Sequence, residues 1–188
     1  MSARLIAIVG AESTGKTTLA QALAKHIAQL TGLRSAWVPE VLRAWCDEHG
    51  RTPRADEQHG IAQAQTAAIE QAAAHNDVLV CDTTALMTAV YSRLLFHDTS
   101  LEVTAVQAHR GMALTLLTAL DIEWASDGLQ RDGPQVRAGV DACLRELMAT
   151  NGIGYTVVGG QGQARVEAAL SAVKPLLLAA MHAKHGAP

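Results

Sequence analysis

Residues 10–18 read Gly10-Ala11-Glu12-Ser13-Thr14-Gly15-Lys16-Thr17-Thr18, a complete match to G-x-x-x-x-G-K-[ST]. A triphosphate carries closely spaced negative charges, so binding one takes many donors converging on a small volume. Gly10 and Gly15 let the backbone curl with its N–H groups pointing inward. Lys16 is then expected on the β- and γ-phosphates and the Thr17 hydroxyl on Mg²⁺. Glu12, Ser13, Thr14 and Thr18 are the remaining nucleotide-binding positions of the loop. Such a cradle works between a strand and a helix N-terminus, whose dipole favours anions. The flanks supply both. Arg4-Leu-Ile-Ala-Ile-Val9 is a short β-branched apolar run, suited to a buried parallel strand. Leu19, Leu23, Ile27 and Leu30 recur at helical spacing.

Working outward, Thr31-Gly32 ends the first helix and Ser35–Val38 reads as a second strand. Glu40 and Arg43 follow, three apart and so on one helical face. Open α/β sheets hold ligands at the C-terminal ends of their strands. There Glu40 can take a proton from a substrate hydroxyl, or form only a surface ion pair with Arg43. Residues 47–56 read as a loop, and 57–75 as a helix with His59 and His75 in solvent. Asp77-Val-Leu-Val-Cys-Asp82 is an apolar strand ending in Asp, the Walker B arrangement, which makes Asp82 a Mg²⁺ ligand. Thr83 is the expected cap of a helix over 85–96, whose Thr88, Tyr91, Ser92 and Arg93 either face a cleft or belong to an ordinary amphipathic helix.

A helix over 101–110 and a fourth strand over 113–119 come next. The segment after that strand is polar and glycine-punctuated, which predicts a lid over roughly 121–137. Its Arg131, and secondarily Arg137, are expected on the triphosphate. A helix over 135–150, a fifth strand over 153–158 and a last helix over 161–181 complete the chain. Strands alternating with helices, without linker or repeat, predict one three-layer P-loop nucleoside triphosphate hydrolase/kinase domain over 1–188: a five-stranded parallel sheet with helices on both faces.

Composition narrows the function. Hydrophobic residues make up 49% but aromatics only 3%, so the core is aliphatic and helix-rich. A net charge of −3 and the lack of a basic stripe argue against a nucleic-acid partner. No stretch is long and apolar enough to span a bilayer. Cys46, Cys81 and Cys143 stand far apart without metal-ligand spacing, which predicts reduced, buried thiols and a cytoplasmic protein.

The phosphate loop, the Glu40-x-x-Arg43 step, Asp82-Thr83 and the block Asp121-x-x-Trp124-x-x-Asp127-Gly-Leu-x-Arg131 together resemble the ribosylnicotinamide kinase domain of NadR-type proteins and their stand-alone relatives. The resemblance runs from the first strand to the last helix, and the Trp124 block is its most specific part. It implies an ATP- and Mg²⁺-dependent kinase that moves the γ-phosphoryl to the 5′-hydroxyl of nicotinamide riboside. Lys16, Glu40, Asp82 and Arg131 would be catalytic, and Glu40, Arg43, Thr84, Tyr91, Trp124 and Asp127 would contact the acceptor. Two positions depart from the pattern: Thr84 replaces the second Asp of an Asp-Thr-Asp step, and Val41 replaces an aromatic. NadR proteins carry a nucleotidyltransferase domain ahead of the kinase, whereas this sequence starts at the first strand. The alternatives are a kinase for another nucleoside or metabolite, and a regulatory ATPase or nucleotide switch. An oligomer is possible.

Overall fold

The structure, a computed structural model, describes residues 2–124 and 133–185. Its strands are β1 (Arg4–Val9), β2 (Ser35–Val38), β3 (Val78–Asp82), β4 (Leu114–Thr118) and β5 (Thr156–Val158). Its helices are α1 (Lys16–Thr31), α2 (Val41–His49), α3 (Gln58–Ala73), α4 (Ala85–Phe96), α5 (Glu102–His109), α6 (Gly133–Thr150) and α7 (Gln163–His185). One turn of 3-10 helix, Ala55–Glu57, leads into α3. The strands form one sheet in the order β2-β3-β1-β4-β5, and every pairing is parallel. Parallel strands need covered crossovers, and the helices lie on both faces as expected.

The alternation along β1 shows how the layers are built. Ile6 and Ile8 turn to one face, where they pack with Leu19, Leu23 and Ile27 of α1 and Val166, Ala169 and Val173 of α7. Ala7 and Val9 turn to the other, among residues of α2 to α6. The small Ala7 lies under α4, which is buried continuously from Ala85 to Ser92. α4 is therefore not the ordinary amphipathic helix considered above, because α3, α5 and α6 pack around it. Its Arg93 serves structure: it pairs with Glu102 at 2.6 Å and with Glu146 at 3.7 Å, tying α4 to α5 and α6.

Register brings the strand ends to one edge. Val38 lies opposite Cys81, Ile8 opposite Asp82 and Val9 opposite Leu117. Gly10 and Glu40, past the ends of β1 and β2, and Asp82 and Thr118, the last residues of β3 and β4, thus lie along the same C-terminal rim.

The helix cap differs from expectation. Thr84, not Thr83, caps α4, its hydroxyl accepting from the Leu86 N–H at 3.3 Å. Thr83 instead donates its N–H to the Ile8 carbonyl and takes a left-handed φ of 70°, making the turn out of the sheet. Residues 47–49, expected in a loop, extend α2 to its Gly50 cap. All three cysteines are free and buried. Burial raises the Cys81 thiol to about 12, so it is inert at neutral pH. No helix among the described residues is long and apolar enough to cross a membrane.

Candidate active site

The loop from Gly10 to Lys16 is shaped by three positive φ values, 148° at Gly10, 52° at Ser13 and 75° at Gly15. Gly10 is also a matter of space. A Cβ there would sit 2.1 Å from Thr118 Oγ1, so β4 leaves room for nothing larger. Thr14 turns its side chain inward, donating to the Ala11 carbonyl at 2.7 Å and sharing a hydrogen bond of 2.7 Å with Thr118 Oγ1. That leaves its backbone, not its hydroxyl, for a ligand. Lys16 Nζ donates to the Ala11 carbonyl at 2.8 Å, inside the curl of the loop. Thr17 is half-buried at the start of α1, while Thr18 is exposed.

Asp82 ends β3 beside this loop and is 1% exposed. Neither of its carboxylate oxygens has a hydrogen-bond partner among the described residues. Burial raises its pKa above the ordinary value; the nearby Thr17 hydroxyl, and then the charges of Lys16 and Arg43, pull it back. A buried carboxylate left in this state is suited to a cation that shares it with the Thr17 hydroxyl. Mg²⁺ fits this set: hard oxygen ligands, few from the protein and the rest from phosphates and water. Among the described residues no three His, Cys, Asp or Glu side chains converge as a self-sufficient metal cage.

Glu40 sits half-buried at the N-cap position of α2. Gln65, reaching from α3, ties the chain on both sides of it. The Gln65 side chain accepts from Val41 N–H at 2.8 Å and donates to the Pro39 carbonyl at 3.4 Å. In the sequence Gln65 shares helical spacing with Ile61, Ala64, Ala68 and Ile69, which carries no sign of these bonds. Arg43 is exposed.

Thr84 is committed elsewhere. Its hydroxyl bonds to His109 Nδ1 at 2.9 Å, and His109 Nε2 bonds to Thr115 Oγ1 at 2.8 Å. Burial lowers the His109 pKa from 6.5 to about 4, so the ring is neutral near pH 7. Tyr91 donates its hydroxyl to Glu12 Oε2 at 3.3 Å. Trp124 is half-buried, with its indole N–H unpartnered among the described residues. Arg137 is buried against the loop: its guanidinium donates to the carbonyls of Ile122 at 2.8 Å and Ser13 at 3.4 Å. Arg131 and Asp127, with the centre of the expected lid, lie outside the described residues.

Three contributors escaped sequence reading. Thr118 fixes the loop from β4. Arg165, buried at the start of α7, donates to the Thr14 and Gly160 carbonyls and pairs with Asp121. Asp121 also accepts from the Gly160 N–H at 2.6 Å. Gln58 is buried at the start of α3. No spacing announces a partner more than a hundred residues away, so Arg165 and Thr118 carried no local signal.

The family model AAA_28, described as an AAA domain, matches residues 5–165. No curated protein matches the sequence. Among solved structures, a NadR protein in complex with NR superposes with a TM-score of 0.74 at 22% identity, covering 92% of this chain and 50% of that one. The present chain thus spans about half the length of that NadR protein. A thymidylate kinase from Ehrlichia chaffeensis gives a TM-score of 0.63 at 14% identity, covering 94% and 100%. A deoxyadenosine kinase from M. mycoides, with products bound, gives 0.55 at 13%, covering 91% and 99%. These likenesses establish a shared fold.

Proposed function

The chain belongs to the AAA-domain family, and on that premise we propose that it is an ATP- and Mg²⁺-dependent kinase that phosphorylates the 5′-hydroxyl of nicotinamide riboside. The observation that carries a kinase rather than a nucleotide switch is Glu40. Gln65 fixes the backbone on either side of this carboxylate, on the same sheet rim as the phosphate loop and Asp82. A hydrolase turns such a group on water, but Glu40 follows β2, with β3 between that strand and β1, which leaves room for an acceptor larger than water. A kinase needs a carboxylate to orient, or take the proton from, an acceptor hydroxyl. The likeness to NadR, whose solved form holds NR, supports the choice of acceptor.

In this reading the loop amides and Lys16 hold the β- and γ-phosphates. Thr17 and Asp82 would hold Mg²⁺. Bound there, the ion supplies neutralising charge to the phosphate oxygens. Glu40 accepts the acceptor's hydroxyl hydrogen bond. Arg137 and Arg165 engage the Ser13 and Thr14 carbonyls, and the loop's N–H groups remain for the phosphates. Arg131 is our proposed transition-state cation. A neutral nucleoside is the second reading, favoured by Thr84: its hydroxyl is spent on His109 and the helix cap, and it brings no charge to a cationic ring.

The test is ADP release from Mg·ATP with and without a panel of pyridine ribosides and nucleosides. Release should depend on nicotinamide riboside and vanish in a folded Lys16→Ala variant. Slow ATP turnover indifferent to every acceptor would overturn the kinase reading in favour of a regulatory ATPase.

A further inference from the structure

A carboxylate in a loop built for a triphosphate is electrostatically out of place. Glu12 is that carboxylate, and it is 7% exposed. Its Oε2 accepts from Tyr91, but its Oε1 has no partner among the described residues. Gln58 is 3% exposed, and its Oε1 is likewise unpartnered. Both residues line one cavity of about 30 Å³, walled by Leu42, Pro53, Tyr91 and Leu95. Two buried acceptors without donors, on residues that line one small space, are costly unless a donor arrives.

Side-chain contacts tie the wall around this space together. Arg51 grips Glu57 through two hydrogen bonds of 2.7 Å, and the Arg54 N–H adds a third at 2.8 Å. Arg51 also stacks over Trp45 at 4.8 Å. These contacts hold the 50–57 connection, which brings Thr52 and Pro53 to the cavity and delivers Gln58 at the head of α3.

We propose that Glu12 and Gln58 form a specificity subsite that reads the N–H donors of the acceptor, a primary amide or exocyclic amine. The proposal rests on the kinase reading above and names what that site recognises. The space, about 30 Å³, takes a water-sized group, which suits one small polar substituent. Both orphaned atoms are acceptors, and an –NH₂ group brings two donors. A carboxylate or oxo group at the same place meets two acceptors, one of them charged. Glu12 also restores, from the phosphate loop, the negative charge that Thr84 does not supply.

The experiment pairs ligands that differ at this group: nicotinamide riboside against nicotinic acid riboside, and adenosine against inosine. Each is measured by calorimetric binding without ATP and by steady-state kinetics. The natural protein should favour the –NH₂ member of at least one pair by tenfold or more. Gln58→Leu should raise KM for that member at least fivefold with KM for ATP held. Glu12→Gln, which keeps the shape and removes the charge, should shrink the amide-over-carboxylate preference to less than threefold. Equal or reversed preference in the natural protein overturns the subsite, as do variants that discriminate like it, or binding of neither pair. Selective binding without phosphoryl transfer leaves the subsite standing and removes the kinase. Transfer that ignores both substitutions does the reverse.

Discussion

Acidification should loosen the turn that follows Asp82, through a buried histidine. His109 is buried between the hydroxyls of Thr84 and Thr115, and its folded-state pKa is about 4 against 6.5 in an exposed chain. A histidine whose folded pKa is depressed binds fewer protons folded than unfolded. Its contribution is therefore fully present above 6.5 and is lost as pH falls from 6.5 towards 4. The gap between those values, at about 1.4 kcal/mol per pH unit, is worth about 3 kcal/mol in total, of which about 2 has gone by pH 5. Asp82 works in the opposite sense, since its raised pKa makes folding easier to bear as pH falls. Urea denaturation at pH 7.5 and pH 5 of the natural protein and of His109→Gln separates the two, because Asp82 is common to both. The natural protein should lose about 2 kcal/mol more than the variant across that interval, about 1 M in midpoint at an m-value of about 2 kcal/mol/M. An identical loss in both would refute the assignment of a neutral, buried His109 whose protonation opposes the fold.

The remaining expectations concern the loop and the rim. Gly10→Ala should weaken ATP binding at least tenfold and cost about 2–4 kcal/mol of stability, from the positive φ and the contact with Thr118 Oγ1. Adding Thr118→Ala should recover part of the stability by removing that oxygen, which a double-mutant cycle by thermal denaturation will show. Gln65→Leu should leave the Pro39 carbonyl and Val41 N–H unpaired, cost about 1–3 kcal/mol and lower kcat with little change in KM for ATP. A fall in ATP affinity alone would show that Gln65 does not act through Glu40.

Elements whose boundaries are set by local chemistry were legible in the sequence. β2 begins and ends where it was expected, at Ser35 and Val38, because Pro39 cannot extend a ladder. α4 matches from Ala85 to Phe96. β5 is shorter than the apolar stretch from Ile153 suggests, since as an edge strand it pairs only where β4 lies beside it, from Thr156 to Val158. Which of two adjacent threonines caps α4 was not readable: both have the hydroxyl, and the choice depends on the bond from Thr83 N–H to Ile8 in another strand. The loop positions followed from the motif. The residues that press on the loop from β4 and α7 are brought in by the sheet order and have no counterpart in any local pattern.

That long-range bracing places the phosphate loop late in the history of each molecule. Arg165 reaches Thr14 across 151 residues of sequence. At about 5–20 residues per second, a ribosome needs roughly ten to thirty seconds after making the loop before this side chain exists. Until then the Thr14 carbonyl and the Asp121 carboxylate lack their common partner. β1 has also waited for β3 on one side and β4 on the other. A nascent chain holds the whole phosphate-loop motif in its first 18 residues, yet the loop's complete hydrogen-bond frame forms only when α7 begins to emerge.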